Sequence, residues 1–417
     1  MAICLFVVIL PSYLLRYSYG PLPYILKIPT TFFEVAFFSI LLVWVFKYAK
    51  SDIKIIGGWV AKNNLFFFLM VVFFVFAMFG IFVSDMPWRS FGHYKAYFIE
   101  PMAFFLILIG RREEISPKDL VFCLGLSTLS IAIYSIFQKF TGLGIATDQW
   151  TAEPGRRTTA FFSSPNAIGL YAVPIFLMLA GKKINILSRV DFWKNKKKIF
   201  TVVMMLLIFL SVLFSKSEGA LIALAVGMTV HLFLIGRRKI AVGIVAIGII
   251  TALAVPALRS AVLFVDQAGQ NRLSLWRYST TYLTDSPSNF VFGSGLRQFF
   301  RHVQKPYYDD SEMERLIYPH NIFLNFWTEI GLFGMLAFIG IFFCLIYFAC
   351  CLRKKDVFFG SAMLACLIAL LTHGLVDVPY FKNDLAMLFW IIAAVICLSY
   401  FYENQYQGKT SVGNNQD

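Results

Sequence analysis

The chain is poor in charge, poor in histidine, and empty of the short signatures of nucleotide or metal chemistry. Only 14% of its 417 residues are Asp, Glu, Lys or Arg, against 59% hydrophobic. A soluble domain of this length needs more polar surface than that, so soluble enzyme classes are excluded. No Walker-type glycine-rich loop is present, which excludes nucleotide hydrolysis as a driving force. The five histidines and seven cysteines show no CxxC, HExxH or other metal-ligand spacing, so no metal and no cofactor is expected. The cysteines (Cys4, Cys123, Cys344, Cys350, Cys351, Cys366, Cys397) all fall inside or at the cytoplasmic end of predicted helices, and no disulfide framework is implied. If the protein does chemistry, the driving force must arrive with the substrate.

What is present is apolar and comes in blocks. Mean hydropathy is +0.71. The apolar blocks run to about 17 to 22 residues, the length that crosses a bilayer core. Phe supplies 46 residues, in runs such as Leu65–Phe68 and Val72–Phe76. The pattern predicts an all-α, polytopic integral membrane protein with about twelve transmembrane helices. The predicted spans are 1–15, 30–46, 64–83, 94–110, 118–138, 165–181, 199–214, 218–235, 238–257, 320–350, 357–376 and 384–402. They divide the chain into about nine N-terminal helices (1–257), one long outer loop (258–319), about three C-terminal helices (320–402) and a tail (403–417). The span at 320–350 is long, so its first or last turns are expected to project beyond the bilayer.

Lys and Arg set the orientation. Loops 47–63, 111–117, 182–198, 236–239 and 351–356 carry roughly 20 of the 37 basic residues, densest in the run Lys182–Lys198. Both termini are therefore expected to be cytoplasmic. The net charge of +14 is mostly a topology signal. It is spread over separate membrane loops and forms no continuous groove, so nucleic acid is not an expected partner.

Two outer regions break the apolar monotony. The loop 139–164 holds Asp148, Glu153 and the pair Arg156–Arg157. The stretch 258–319 holds Arg259, Arg272, Arg277, Arg297, Arg301, Lys305 and Arg315. Positive-inside bias disfavours so many cations there unless they bind anions; Asp266, Asp285, Asp309, Asp310, Glu312 and Glu314 are the competing partners. The sharpest local feature follows, running from Tyr318 to Gly331. Pro319 is placed to open a helix, whose free N–H groups and dipole favour an anion near His320. Asn321, Asn325 and Thr328 or Glu329 continue at helical spacing as a polar stripe, which marks either a functional site or interhelical glue. His320 is the candidate proton acceptor because imidazole titrates near neutrality. Two further outer helix ends are polar. Glu218 sits in the tight turn 215–220. His373 and Asp377, one turn apart, form either a structural clamp or an orienting pair. His93 and His302 read as ordinary, and His231 as a satisfied interhelical donor.

These residues carry a resemblance. Pro-His-Asn-x-x-Leu-x-x-x-x-Glu-x-Gly at 319–331, opening a helix after a long outer loop, resembles the signature of the O-antigen ligase and Wzy polymerase superfamily. Agreeing in order are Ser-Pro-Asn-x-x-Gly at 164–169, Ser-x-Gly-Ala at 217–220 and Arg272-x-x-x-Trp276. Phe-Gly-Ser-Gly-Leu-Arg-Gln-Phe at 292–299 and His-Gly-Leu-Val-Asp-Val-Pro-Tyr-Phe at 373–381 follow. The resemblance spans about 157 to 390. One position departs, since family members often have Arg where this chain has Glu218.

The resemblance implies a metal-independent glycosyltransferase of a bacterial inner membrane, with its active site on the periplasmic face and 258–319 as a periplasmic loop. Such enzymes move a glycan from undecaprenyl pyrophosphate to an acceptor hydroxyl, on lipid A–core in the ligases and on another carrier-linked glycan in the polymerases. Some relatives transfer onto proteins. His320 is then the general base. Arg157 and Arg272, with Arg156, Arg277 and Arg297 in reserve and Asn321 beside them, hold the pyrophosphate or glycan. Glu218, His373 and Asp377 support them. A transporter also has many helices and intramembrane polar groups, but it more typically shows repeated halves and broken midplane helices.

Overall fold

Local chemistry sets most helix boundaries in the computed structural model, which describes residues 1–14, 16–17, 30–181, 195–308 and 314–413. Much of the basic run Lys182–Lys198 lies outside the described residues, as do Asp309, Asp310 and Glu312. After α1 (Ala2–Val8), the side chains of Thr31 and Glu34 cap α2 (Phe32–Lys47) reciprocally. Next come α3 (Ala49–Lys62) and α4 (Asn64–Val83). Proline stands in the first turn of α5 (Pro87–Tyr94), α6 (Glu100–Gly110), α7 (Pro117–Thr141) and α8 (Pro165–Ala180), where its missing N–H costs nothing. A π-turn at Lys95–Ile99 joins α5 to α6. The chain continues through α9 (Lys196–Ser215), α10 (Glu218–Leu234) and α11 (Arg238–Ala254). The stretch expected as a long outer loop is largely helical, with α12 (Pro256–Val262), α13 (Gln267–Asp285) and α14 (Pro287–Phe292). A small core of Leu275, Phe299 and Val303 holds that region together. The chain closes with α15 (Ile322–Arg353), α16 (Val357–Gly374) and α17 (Asn383–Gly413).

The all-α expectation holds, apart from a two-rung backbone ladder pairing Arg16–Tyr17 with Thr30–Thr31. The helix count is corrected. Six helices are long and apolar enough to cross a membrane, and up to eight if each bent pair counts as one span, not about twelve. Several expected spans are too short or are interrupted. Within the expected span 1–15, the described residues form a seven-residue helix, Ala2–Val8, and a 3-10 turn, Leu10–Leu14. The apolar helices α8 and α10 fall below the length of a full crossing. The chain bends by 94° between α2 and α3. Several long apolar helices nonetheless make this a membrane-associated protein.

Helix α15 carries the main departure from regularity. Gly331, inside it, has φ 76° and ψ 176°, outside helical geometry. Phe326 and Phe338 are twelve positions apart, about 18 Å of rise in a straight helix. Their ring centroids are nevertheless 4.2 Å apart. The chain therefore turns sharply at Gly331, and residues 322–330 form a short separate segment folded back on the longer one. A side chain at 331 would collide with the Val291 carbonyl at 2.3 Å, so glycine also admits the end of α14 at the break. Phe73, Phe326, Phe338, Tyr380 and Phe389 interlock around this bend. Helix α4 packs along α15, and α16 packs against α8, α10 and α15. Most of α17 between Asn383 and Phe401 is buried at the centre, whereas α11 buries only Ala241.

Candidate active site

Four segments converge at one end of the bundle: the start of α15, the end of α16, the start of α8 and the turn between α9 and α10. Pro165 opens α8 and places Asn166 in its first turn. The Asn166 amide nitrogen donates to Asp377 Oδ2 at 3.3 Å, and its amide oxygen accepts from Arg157 Nη2 at 3.3 Å. Arg157 is fixed further by its Nε, which donates to the Ser215 carbonyl at 3.1 Å, and by its backbone N–H, which donates to the Trp150 carbonyl at 2.9 Å. Asp377, 3% exposed, accepts from the Val378 N–H at 2.8 Å.

His320 stands at the other end of this chain of contacts. Its Nδ1 lies 3.4 Å from Asp377 Oδ1, at ion-pair distance but without hydrogen-bond alignment. Its ring meets Tyr318 edge-on at 5.0 Å. The backbone at His320 is left-handed, φ 52°, an unfavourable conformation for a side chain of this size. Neighbouring bonds hold it there. Trp276 Nε1 donates to the Pro319 carbonyl at 3.0 Å. Asn321 caps α15 by accepting from the Phe323 and Leu324 N–H groups, and its own amide donates to the Leu375 carbonyl at 3.1 Å. Arg272 Nε donates to the Val376 carbonyl at 3.2 Å, tying α13 to the same strip of chain.

Beside this network lies a cavity of about 340 Å³. Arg157, Asn166, Glu218, Asp266, Arg272 and Asp377 provide its polar wall, and Ile222, Val262 and Phe264 its apolar side. Burial lowers the Arg157 pKa; the Glu218 charge opposes this and Arg272 adds to it. At Asp377, burial alone would raise the carboxyl. The His320 and His373 charges and the Val378 amide outweigh it and hold Asp377 well below the usual carboxylate range. With Nδ1 turned to Asp377, Nε2 is the ring nitrogen left for a substrate. His373 is buried in a slot made by the missing side chains of Gly169 and Gly219.

The structure thus brings together Arg157, Arg272, Glu218, Asp377, His373, His320 and Asn321. It pairs Asp377 with His320 across helices, where sequence spacing paired it with His373. The reserve arginines stand elsewhere. Arg156 donates to the Thr151 and Lys139 carbonyls, both at 2.8 Å, and lies 3.4 Å from Glu153. Arg277 is exposed over the Tyr278 ring, and Arg297 is exposed on the 293–298 loop. Asn166 was not among the candidate site residues; its signal was the Ser-Pro-Asn start of α8. Glu329 accepts from the Arg297 N–H at 2.5 Å, and both side-chain amide atoms of Asn325 are buried without a hydrogen-bond partner among the described residues.

The polar site lies at one end of an apolar helical bundle, as part of a membrane-associated protein. Residues 203–339, about a third of the chain, match the family model for O-antigen ligase. The match includes Glu218, Arg272, Arg277, Arg297, His320 and Asn321. It stops short of Arg156, Arg157, His373 and Asp377 on either side. No curated protein matches the chain.

Proposed function

We propose that this protein transfers a glycan from undecaprenyl pyrophosphate to an acceptor hydroxyl on lipid A–core, at the periplasmic face of a bacterial inner membrane. The observation that carries this reading is the continuous path Arg157–Asn166–Asp377–His320, whose first three members line a cavity that Arg272 also lines. It joins a cationic cradle to a proton acceptor through buried polar contacts. His320 Nε2 takes the proton of the acceptor hydroxyl, and the oxygen attacks the anomeric carbon. The bond from that carbon to the pyrophosphate oxygen breaks, its electron pair leaves with undecaprenyl pyrophosphate, and the configuration inverts. Arg157 and Arg272 stabilise the charge growing on the leaving group. Asp377 holds the imidazole in place and balances its charge after proton transfer. The apolar side of the cavity suits the polyprenyl chain. No step asks for a nucleotide or a metal.

The test supplies purified protein in lipid with an undecaprenyl-pyrophosphate-linked glycan and lipid A–core, in EDTA. Glycan on lipid A–core, lost in His320→Ala, is the expected result. Lengthening of the carrier-linked glycan with lipid A–core untouched replaces the ligase reading by a polymerase. Full activity in His320→Ala removes the base.

A further inference from the structure

The turn that opens α10 is pinned by its neighbours without help from the carboxylate it carries. Arg157 Nε donates to the Ser215 carbonyl at 3.1 Å, and the Thr158 N–H donates to the Phe214 carbonyl at 3.1 Å. Lys216 has a left-handed backbone, φ 49°, and its Nζ donates to the Pro154 carbonyl at 2.8 Å. A side chain at 219 would lie 3.0 Å from Val376 Cγ2 and 3.1 Å from His373 Cδ2, so Gly219 packs directly on that strip. Glu218 is the first residue of α10. Its side chain makes no hydrogen bond and no ion pair among the described residues, yet it lines the cavity of about 340 Å³. Ile222, one turn further along α10, lines it too. The cavity face of α10 therefore runs from a carboxylate at the outer end to an aliphatic side chain deeper in the bundle.

The cavity wall carries both signs of charge. Arg157, Lys216 and Arg272 stand against Glu218, Asp266 and Asp377. Several of these are already engaged. Lys216 holds Pro154, Asp266 caps α13 through the Gly269 N–H at 3.1 Å, and Asp377 faces Asn166 and His320. Arg157 Nη1, the terminal nitrogens of Arg272 and both oxygens of Glu218 carry no hydrogen bond among the described residues. A pyrophosphate answers only the guanidinium half of that set and is repelled by the carboxylate. The other half asks for a group beside the phosphates that donates hydrogen bonds to an anionic acceptor. In a sugar pyrophosphate that group is the sugar, through its hydroxyls. A carboxylate in a first helical turn also suits the helix dipole, but the dipole does not require it to face a cavity beside two guanidinium groups.

We infer that Glu218 reads the donor sugar, accepting hydrogen bonds from hydroxyls of the residue bonded to the pyrophosphate while Arg157 and Arg272 hold the phosphates. This rests on the transferase reading and adds to it a residue that sets donor specificity. One ligand then accounts for the whole lining, with polyprenyl against Ile222, Val262 and Phe264, phosphates at the arginines and sugar at the outer end. Hydrogen bonds to a charged acceptor are the stronger kind. A carrier without the matching hydroxyl leaves the carboxylate facing phosphate with no partner, which is how a polar site rejects an analogue.

Binding without turnover tests this assignment. Full-length protein in lipid nanodiscs, in EDTA and without acceptor, is titrated with undecaprenyl pyrophosphate alone. The same carrier bearing one hexose, either glucose or N-acetylglucosamine, is titrated beside it. At least one sugar-bearing carrier should bind roughly tenfold tighter than the bare one, the low end for a hydrogen bond to a charged group. Glu218→Ala should erase that preference by weakening only the sugar-bearing form. Glu218→Gln, which keeps an acceptor oxygen, should retain part of it. Glu218→Arg should bind bare pyrophosphate more tightly and show no preference. Equal binding of all three carriers by the wild type overturns the inference, as does a preference that survives Glu218→Ala. So does an equal loss for bare and sugar-bearing carriers in that variant, which makes Glu218 a mere support for the arginines. If Arg157→Ala weakens every carrier while the wild type shows no sugar preference, the inference fails and the phosphate cradle stands. If the preferences appear as expected but no acceptor receives glycan, only the transferase reading fails. Binding of no carrier removes both.

Discussion

Two buried charged groups in this bundle differ in one respect that separates scaffold from site. In the first, Lys95 joins Glu34 at 2.8 Å and Glu100 at 3.6 Å, and Glu34 also closes the cap of α2. Its members face one another within the protein, one ammonium against two carboxylates. In the second, Arg157, Asn166, Asp377 and His320 are linked in a line whose two ends remain open, the guanidinium at a cavity and the imidazole partly exposed. Buried charge is costly in both, and only partners offset that cost. A closed group holds helices in register, while an open one keeps its last partner for a substrate.

The comparison breaks most readily at His320. His320→Ala should lower the transfer rate roughly 10²- to 10⁴-fold, the range for loss of a general base and far more than its lost contact with Asp377 takes from stability. Lys95→Met should do the reverse. Stranding Glu34 and Glu100 should cost about 3 kcal/mol, the lower end for a buried pair because Lys95 is partly exposed. Thermal unfolding in detergent measures it, and transfer per folded molecule should hold. A loss of activity without loss of stability in Lys95→Met would erase the distinction between the two groups.

Asn166→Ala tests the middle of the open line. Hydrogen bonds to charged groups contribute about 1.5–3 kcal/mol, so kcat/KM should fall roughly ten- to hundredfold. Asp377 supplies a pH test. Its carboxyl is held below its ordinary value, so its contribution to folding is complete above the unfolded value and is lost as pH falls through the depressed folded one. Asp377→Asn should accordingly be less stable than wild type at neutral pH, with the gap narrowing on acidification. A gap that widens in acid would reverse the assignment. The smallest effect belongs to Arg156→Ala. Its guanidinium ties down the 139–156 loop through two carbonyls, so about 1 kcal/mol of stability and little transfer should be lost.

Much of the site was legible before any coordinates. Pro319, His320 and Asn321 announced a helix start beside a titratable group, but the helix begins at Ile322, not at Pro319, with Asn321 as its cap and His320 in a left-handed turn ahead of it. The Ser-Pro-Asn run announced the start of α8. The ranking of the arginines, Arg157 and Arg272 before Arg156, Arg277 and Arg297, came with the resemblance and not from local pattern, because neighbours in the chain point to different places. Arg156 turns to its own loop and Arg157 to the cavity, though one residue separates them. The partner of Asp377 was also hidden, since helical spacing offered His373 and tertiary packing offered His320. The helix count failed for a related reason. Apolar composition marks a segment as suited to lipid but does not say whether it runs straight, stops short or folds back.

The sequence by itself determined the membrane setting, the helical class and most helix starts. Those follow from length, hydropathy and the chemistry of proline and capping side chains, which act over a few residues. Only the tertiary structure decided that α15 breaks at Gly331, that Asp377 serves His320, and that Arg297 stands apart from Arg157 and Arg272. Each of these depends on which backbones can approach. Gly80, Gly293 and Gly331 set that approach between elements far apart in the chain, where no local pattern records it.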